Sequence, residues 1–178
     1  MPRPADPTGR DRILSTATAL FYTHGVRAVG MAQVIEAAAC GKHMLYRHFP
    51  SKAALAAAYL EQVRTERDRS AGAAVAEASD PAAQLVALVA EVAAWTRRGD
   101  YRGCAFRNYL TEFPTADDDP ARVARAYLRD TRHQIDDLVR DLGKPPLVAD
   151  RLWLLIDALY AATGSDPEVA VSWARELV

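Results

Sequence analysis

Residues 10–55 read RDRILSTATALFYTHGVRAVGMAQVIEAAACGKHMLYRHFPSKAAL, and this stretch decides the fold. From Arg10 to Tyr22, the residues Ile13, Leu14, Ala17, Leu20 and Phe21 recur at helical spacing and define one apolar face. His24-Gly25 follows as a stop, glycine being the residue that most readily takes the left-handed conformation at a helix end. After VRAVG, a second helix is expected from Met31 to Ala38, with Met31, Val34 and Ile35 turned inward. A break at Ala39-Cys40-Gly41 leads into a third, Lys42 to Phe49, whose Leu45 and Phe49 are four residues apart on the buried side. Pro50 ends it, and Ser51 can cap a fourth helix that runs through Arg69 toward the seventies, where Gly72 weakens its end.

Working outward, the rest of the chain repeats the helical pattern. Asp80-Pro81 opens a helix carrying Leu85, Leu88, Val92 and Trp95, and RGCAFRNYLTEFP reads as a short one ended by Pro114. After TADDDP, a long helix from about Ala121 to Leu142 shows an inward seam of Ala124, Leu128, Thr131, Ile135, Leu138 and Leu142. Gly143-Lys144-Pro145-Pro146 and Gly164-Ser165-Asp166-Pro167 separate two further helices. No alternating strand pattern or internal repeat occurs. The expected fold is all-α with about nine helices: a three-helix head containing a helix-turn-helix, and a C-terminal helical bundle as body. The expected division is a head of residues 1–52 and a body of residues 53–178, with the fourth helix from Ser51 as connector.

Composition narrows the function classes. The net charge of −1 hides an asymmetry: Met1 to Lys52 holds seven basic and three acidic side chains, a net +4, whereas the remainder is net −5. A basic head on an acidic body is the distribution expected when only the head meets a polyanion. No apolar run reaches the roughly 20 residues that cross a bilayer, and MPRPADPTGRDR lacks the apolar core of a signal peptide, so a cytoplasmic protein is expected. Cys40 and Cys104 are single cysteines without metal-ligand spacing, which points to neither a disulfide framework nor a metal site. Cys104 and His133 have nothing nearby to orient them as nucleophile and base, and no glycine-rich phosphate loop is present. Neither enzymatic activity nor a cofactor is expected.

Two short helices joined by a tight turn on a basic head fit the major groove, whose width admits a helix. The residue string adds specificity. Arg12, Ile13, Leu14, Leu20, Phe21, Gly25, Leu45, Tyr46, His48, Phe49, Ser51, Lys52 and Leu55 resemble, in register, the N-terminal signature of the TetR/AcrR family of transcriptional regulators. That resemblance implies a helix from Lys42 to His48 lying in the groove, with Lys42, His43, Met44, Tyr46 and Arg47 facing DNA. It further implies Tyr46, His48 and Lys52 as phosphate anchors. The chain departs from the pattern in three places. Val29 and Gly30 stand where the family usually has a hydroxyl residue, Ala39-Cys40-Gly41 replaces Gly-Val-Ser, and His43 and Met44 replace small residues. Alanine resists a positive φ that glycine accepts, and the third helix loses a Ser cap while keeping the permissive Gly41. An altered DNA preference is expected.

The body carries two further sets of candidates. Tyr59, Trp95, Phe106, Tyr109, Phe113, Tyr127 and His133 form a mostly aromatic set with sparse polar groups, suited to a small hydrophobic or aromatic effector. Val148, Leu152, Leu155, Leu159 and Ala162 make one seam of the penultimate helix, and Trp153, Ile156 and Tyr160 make a second apolar strip. Val169, Val171, Trp173, Ala174 and Leu177 repeat the pattern in the last helix. Helices apolar on two sides must be buried on two sides. The family resemblance implies a homodimer built on Leu152, Trp153, Ile156, Tyr160, Val169, Trp173 and Leu177. It also implies binding to a palindromic double-stranded operator, repression, and release by a small-molecule effector. A redox-responsive regulator using Cys40 or Cys104, and a helical carrier of lipophiles, are the alternative readings.

Overall fold

The structure is a computed structural model and describes residues 7–161, 164 and 166–178. Ala162, placed in the expected seam, and Ser165, placed in the expected separator, lie outside the described residues. Among the described residues there are nine helices and no strand: α1 (Pro7–His24), α2 (Met31–Ala37), α3 (Lys42–His48), α4 (Lys52–Ala76), α5 (Pro81–Thr96), α6 (Ala105–Glu112), α7 (Asp119–Asp141), α8 (Pro146–Ala161) and α9 (Glu168–Leu177). No described helix is long and apolar enough to cross a membrane.

By packing, the chain forms two compact units: Met1–Val63 with Ala105–Ala126, and Arg64–Cys104 with Tyr127–Val178. Of the three dividing points, those in α4 and α7 fall inside continuous helices and the third lies just before α6, which belongs to the same unit as α1 to α3. The first unit is built on Ile13, Ala17 and Phe21 of α1, Val34 of α2, Leu45 of α3, and Leu55, Tyr59 and Leu60 of α4, all buried. Phe21 meets Tyr59 edge-on with ring centroids 5.7 Å apart. Arg12 Nε donates to the carbonyl of Ala38 at 3.1 Å, tying α1 to the end of α2.

In the second unit, Leu85, Val89 and Val92 of α5 pack with Ile135 and Val139 of α7, Leu152, Ile156 and Leu159 of α8, and Val171 and Ala174 of α9. Asp80 starts α5 by accepting the amide of Ala83 at 2.9 Å. This bond, joined by one from the Ser79 hydroxyl, holds the Asp80 carboxyl below its ordinary pKa. The α7 seam is rotated slightly from expectation: Ile135 and Val139 are buried, whereas Leu138 and Leu142 are partly buried and pack at its edge.

Candidate nucleic-acid interface

The turn between α2 and α3 is fixed by backbone geometry. The Ala39 amide donates to Glu36 O and the Cys40 amide to Ile35 O, each at 3.1 Å. This is the Schellman pattern, in which the first residue past the helix cap turns left-handed. Ala39 does so at φ 46°. The same hydrogen bonds end α7, from Gly143 to Arg140 and from Lys144 to Val139, and there glycine occupies the position at φ 66°. In the α2–α3 turn, alanine thus takes the conformation it disfavours. Gly41 sits at φ −77° and ψ 147°, the ordinary extended N-cap conformation, so its freedom goes unused.

From this turn, α3 buries Leu45 and is followed by buried Phe49, leaving Lys42, His43, Tyr46 and Arg47 exposed together and Met44 half-buried. The Lys42 ammonium lies 6.0 Å from the centre of the Tyr46 ring. His48 is half-buried, and its buried Nε2 has no hydrogen-bond partner. The guanidinium of Arg10 lies over the Phe49 ring at 5.3 Å. At the start of α2, Gly30 is the cap residue and offers no side chain, but its amide donates to Gln33 Oε1 at 2.7 Å. Ser51 caps α4 by accepting the Ala54 amide at 3.0 Å.

Lys52, the next residue, points partly inward: its Nζ donates to the carbonyl of Arg27 at 3.1 Å. Desolvation lowers its pKa, and the charge of Glu112 works in the opposite direction. Lys52 lines a cleft of about 240 Å³ with Val26, Arg27, Ala53, Tyr109, Phe113 and Asp118. Tyr109 and Phe113 stack tilted, their centroids 4.8 Å apart. The Tyr109 hydroxyl donates to Asp118 at 2.9 Å, and burial, followed by this bond, raises its pKa.

The expected effector residues fall in both units. Tyr59, Phe106, Tyr109 and Phe113 belong to the first, where Phe106 is almost fully buried. Trp95, Tyr127 and His133 belong to the second, where His133 is exposed on α7. In that unit sequence reasoning missed a buried charge, Arg67, which is 5% exposed. Its guanidinium forks onto Glu91 at 2.8 and 2.7 Å and donates to the Tyr160 hydroxyl at 3.2 Å. Burial opposes its charge, but Tyr160 and Glu91 outweigh burial and raise its pKa. The guanidinium groups of Arg67 and Arg98 lie over the Trp95 ring, at 4.8 and 4.3 Å. Arg67 lies seven residues after buried Leu60 and so on the same face of α4, which is the one signal that could have found it.

Of the expected interface residues, Leu152 and Ile156 are buried in their own unit, Trp153, Tyr160 and Leu177 are half-buried, and Val169 and Trp173 are exposed. Leu147 and Leu154, which sequence reasoning had not assigned to an interface, are 55% and 65% exposed. Trp173, Leu154, Leu155 and Leu177 line a cleft of about 420 Å³ with Arg151 and Glu176 at its edge.

The family model described as bacterial regulatory proteins, tetR family, matches residues 13–59, from α1 into α4. A TetR-family transcriptional regulator from Streptomyces coelicolor has the same fold over 95% of this chain and 91% of its own, with a TM-score of 0.85 and 28% identity. The head of the chain is thus similar in sequence to the TetR family, and its fold over nearly the whole chain is that of a TetR-family regulator. An uncharacterized HTH-type transcriptional regulator of Mycobacterium tuberculosis is 33% identical over 79 residues. That match spans 44% of this chain and 39% of the relative's length. A TetR-family regulator from Agrobacterium tumefaciens, 19% identical, shares the fold with a TM-score of 0.78 over 96% of this chain and 95% of its own. The family match thus holds the whole helix-turn-helix, including the left-handed Ala39 and the exposed face of α3.

Proposed function

We propose that this TetR-like chain is a cytoplasmic, homodimeric transcriptional repressor that reads a palindromic operator through α3 and is released by a small hydrophobic or aromatic effector. The observation that carries the DNA reading is the asymmetry of α3: Leu45 anchors one side, while Lys42, His43, Tyr46 and Arg47 are exposed on the other. A cationic Lys42 or Arg47 can donate to guanine O6/N7 or to phosphate, and Met44 offers a methyl contact for thymine. Tyr46, His48 and Lys52 act as phosphate contacts that place α3 rather than choose bases.

Dimerisation rests on the exposed apolar residues of α8 and α9, Leu147, Leu154, Val169 and Trp173, which water disfavours and a second copy would cover. A twofold axis through such an interface presents two α3 helices to half-sites about one DNA turn apart. An effector releases DNA only if it binds the DNA-incompetent arrangement more tightly than the competent one. Tyr109 and Phe113 in the first unit, or Trp95 and Tyr127 in the second, supply aromatic surface for such a ligand.

Selection of bound sequences from a random duplex pool tests this function, with sedimentation of the enriched complex. A twofold-symmetric motif bound by two copies is expected. Enrichment of no sequence, or binding by one copy to an asymmetric site, overturns the reading. Replacing one phosphate-contacting lysine, by Lys52→Ala, should reduce the slope of log affinity against log salt by about 0.9.

A further inference from the structure

The turn between α1 and α2 has a partner far away in sequence. Residues 25–30 join the two helices, with Val26 and Val29 turned into the core. The amide of Arg27, at the centre of the turn, donates to Glu112 Oε2 at 2.6 Å. The Arg27 guanidinium donates to the main-chain carbonyl of the same Glu112 and lies over the ring of Phe113, 4.8 Å from its centre. The Arg27 carbonyl accepts from Lys52 at the start of α4. One residue of the turn is thus held at its amide, its carbonyl and its side chain.

Gly25 makes room for this arrangement. It ends α1 at φ 85°, and a Cβ there would lie 2.8 Å from Glu112 Oε1, closer than real contacts allow. The carboxylate therefore sits against bare backbone. On its other side, the end of α6 is fixed through Tyr109, whose hydroxyl donates to Asp118, and Asp118 in turn accepts the Ala121 amide in the first turn of α7 at 3.1 Å. Hydrogen bonds, joined by the backbone of α6 between Tyr109 and Glu112, connect the start of α7 to the residue that precedes α2 by four positions.

We propose that Glu112 is a positioning residue for DNA binding: by holding Arg27 at both amide and guanidinium, it sets the α1–α2 turn, and with it the pose of α2 and α3, from the C-terminal end of α6. This rests on the DNA-binding reading above. Glu112 touches no DNA; it acts through Arg27, which carries α2, whose end leads through the Ala39 turn into α3. The coupling is physical because each link is either a hydrogen bond to a helix end or to the turn, or a short stretch of backbone between such bonds.

The test compares wild type with Glu112→Ala, Glu112→Asp and Glu112→Gln in the full chain. Two readouts apply: hydrogen exchange at the Arg27 amide, and affinity for the duplex recovered by selection, or for a random duplex pool if none is enriched. Glu112→Ala should lower the protection of the Arg27 amide at least about tenfold and weaken duplex binding about tenfold, a loss of about 1.4 kcal/mol, while circular dichroism stays that of the folded chain. Glu112→Gln keeps an acceptor oxygen and should restore both to within about threefold. Glu112→Asp, which draws the carboxylate back by one methylene, should fall between them and serves if the alanine variant does not fold. Unchanged Arg27 exchange in Glu112→Ala overturns the hydrogen bond, and lost protection with unchanged affinity overturns the positioning role. Absence of duplex binding by the wild type instead overturns the DNA-binding reading, and the positioning role falls with it.

Discussion

Shifting the glycine of the α2–α3 turn should stabilise the protein. Ala39 occupies the left-handed position of a Schellman motif at φ 46°, whereas Gly41, two residues on, adopts a conformation open to any residue. The left-handed region costs an L-residue about 1–2 kcal/mol. Ala39→Gly removes that cost but returns about 0.5–1 kcal/mol through the greater freedom of glycine in the unfolded chain. The net gain is therefore about 0.5–1 kcal/mol. Gly41→Ser restores a side-chain cap to α3, and a Cβ at Gly41 meets nothing within 4 Å. Its gain combines a few tenths of a kcal/mol from the cap with about 0.4–1 kcal/mol from the unfolded state. The double variant should gain about 1–2 kcal/mol, within the coupling allowed to close neighbours. Gly143→Ala is the mirror experiment, because Gly143 has the same hydrogen bonds at φ 66° and also has nothing within 4 Å of a built Cβ. It should lose about as much as Ala39→Gly gains. Urea unfolding measures all four variants, with the midpoint moving at constant slope. A destabilised Ala39→Gly, alongside a tolerated Gly143→Ala, would refute the strain argument.

Gly25→Ala should destabilise by about 2 kcal/mol or more, from left-handed strain together with displacement of Glu112, measured by the same unfolding assay. Glu91→Gln or Arg67→Met should each cost about 3–5 kcal/mol by leaving one member of a buried ion pair uncompensated. The double change Arg67→Met/Glu91→Leu should recover most of that loss, and equal losses in the single and double variants would contradict the pairing. Because the folded-state pKa of Asp80 is depressed, its contribution is present above the unfolded-state pKa and lost as pH falls through the folded value. Asp80→Asn keeps a capping oxygen and should flatten that acid dependence of unfolding. Leu154→Glu with Trp173→Glu should yield a monomer on sedimentation with unchanged helix content, and a persisting dimer would move the interface elsewhere.

Local periodicity made the head legible. Leu45 and Phe49, four residues apart, identified the buried side of α3, and the Ser51 cap and Pro50 stop were readable from residue type alone. The seam of α7 was read less well, since Val139 is buried while Leu138 is only partly so: apolar size attracted the assignment, whereas burial followed the face that meets α5 and α8. Long-range pairings left no local trace. Arg67 stands in a run of charged residues that reads as solvated, and its partner Glu91 lies on another helix. Glu112 and Arg27 are 85 positions apart. The packing division inside α4 and α7 has no compositional signal, because a continuous helix needs neither glycine nor proline where it passes from one core to another. Alanine's reluctance toward positive φ was readable; that the hydrogen bonds of the turn would prevail over it was not.

The two guanidinium groups over Trp95 give the second unit a built-in optical probe. Positive charges less than 5 Å from an indole act on its excited-state dipole, so its emission depends on whether Arg67 and Arg98 stay in place. Trp173 is exposed and Trp153 half-buried, so their emission depends on solvent and on covering partners. With those two replaced by phenylalanine, the colour of the remaining tryptophan reads the state of a buried ion pair directly, in a folded chain carrying no attached dye.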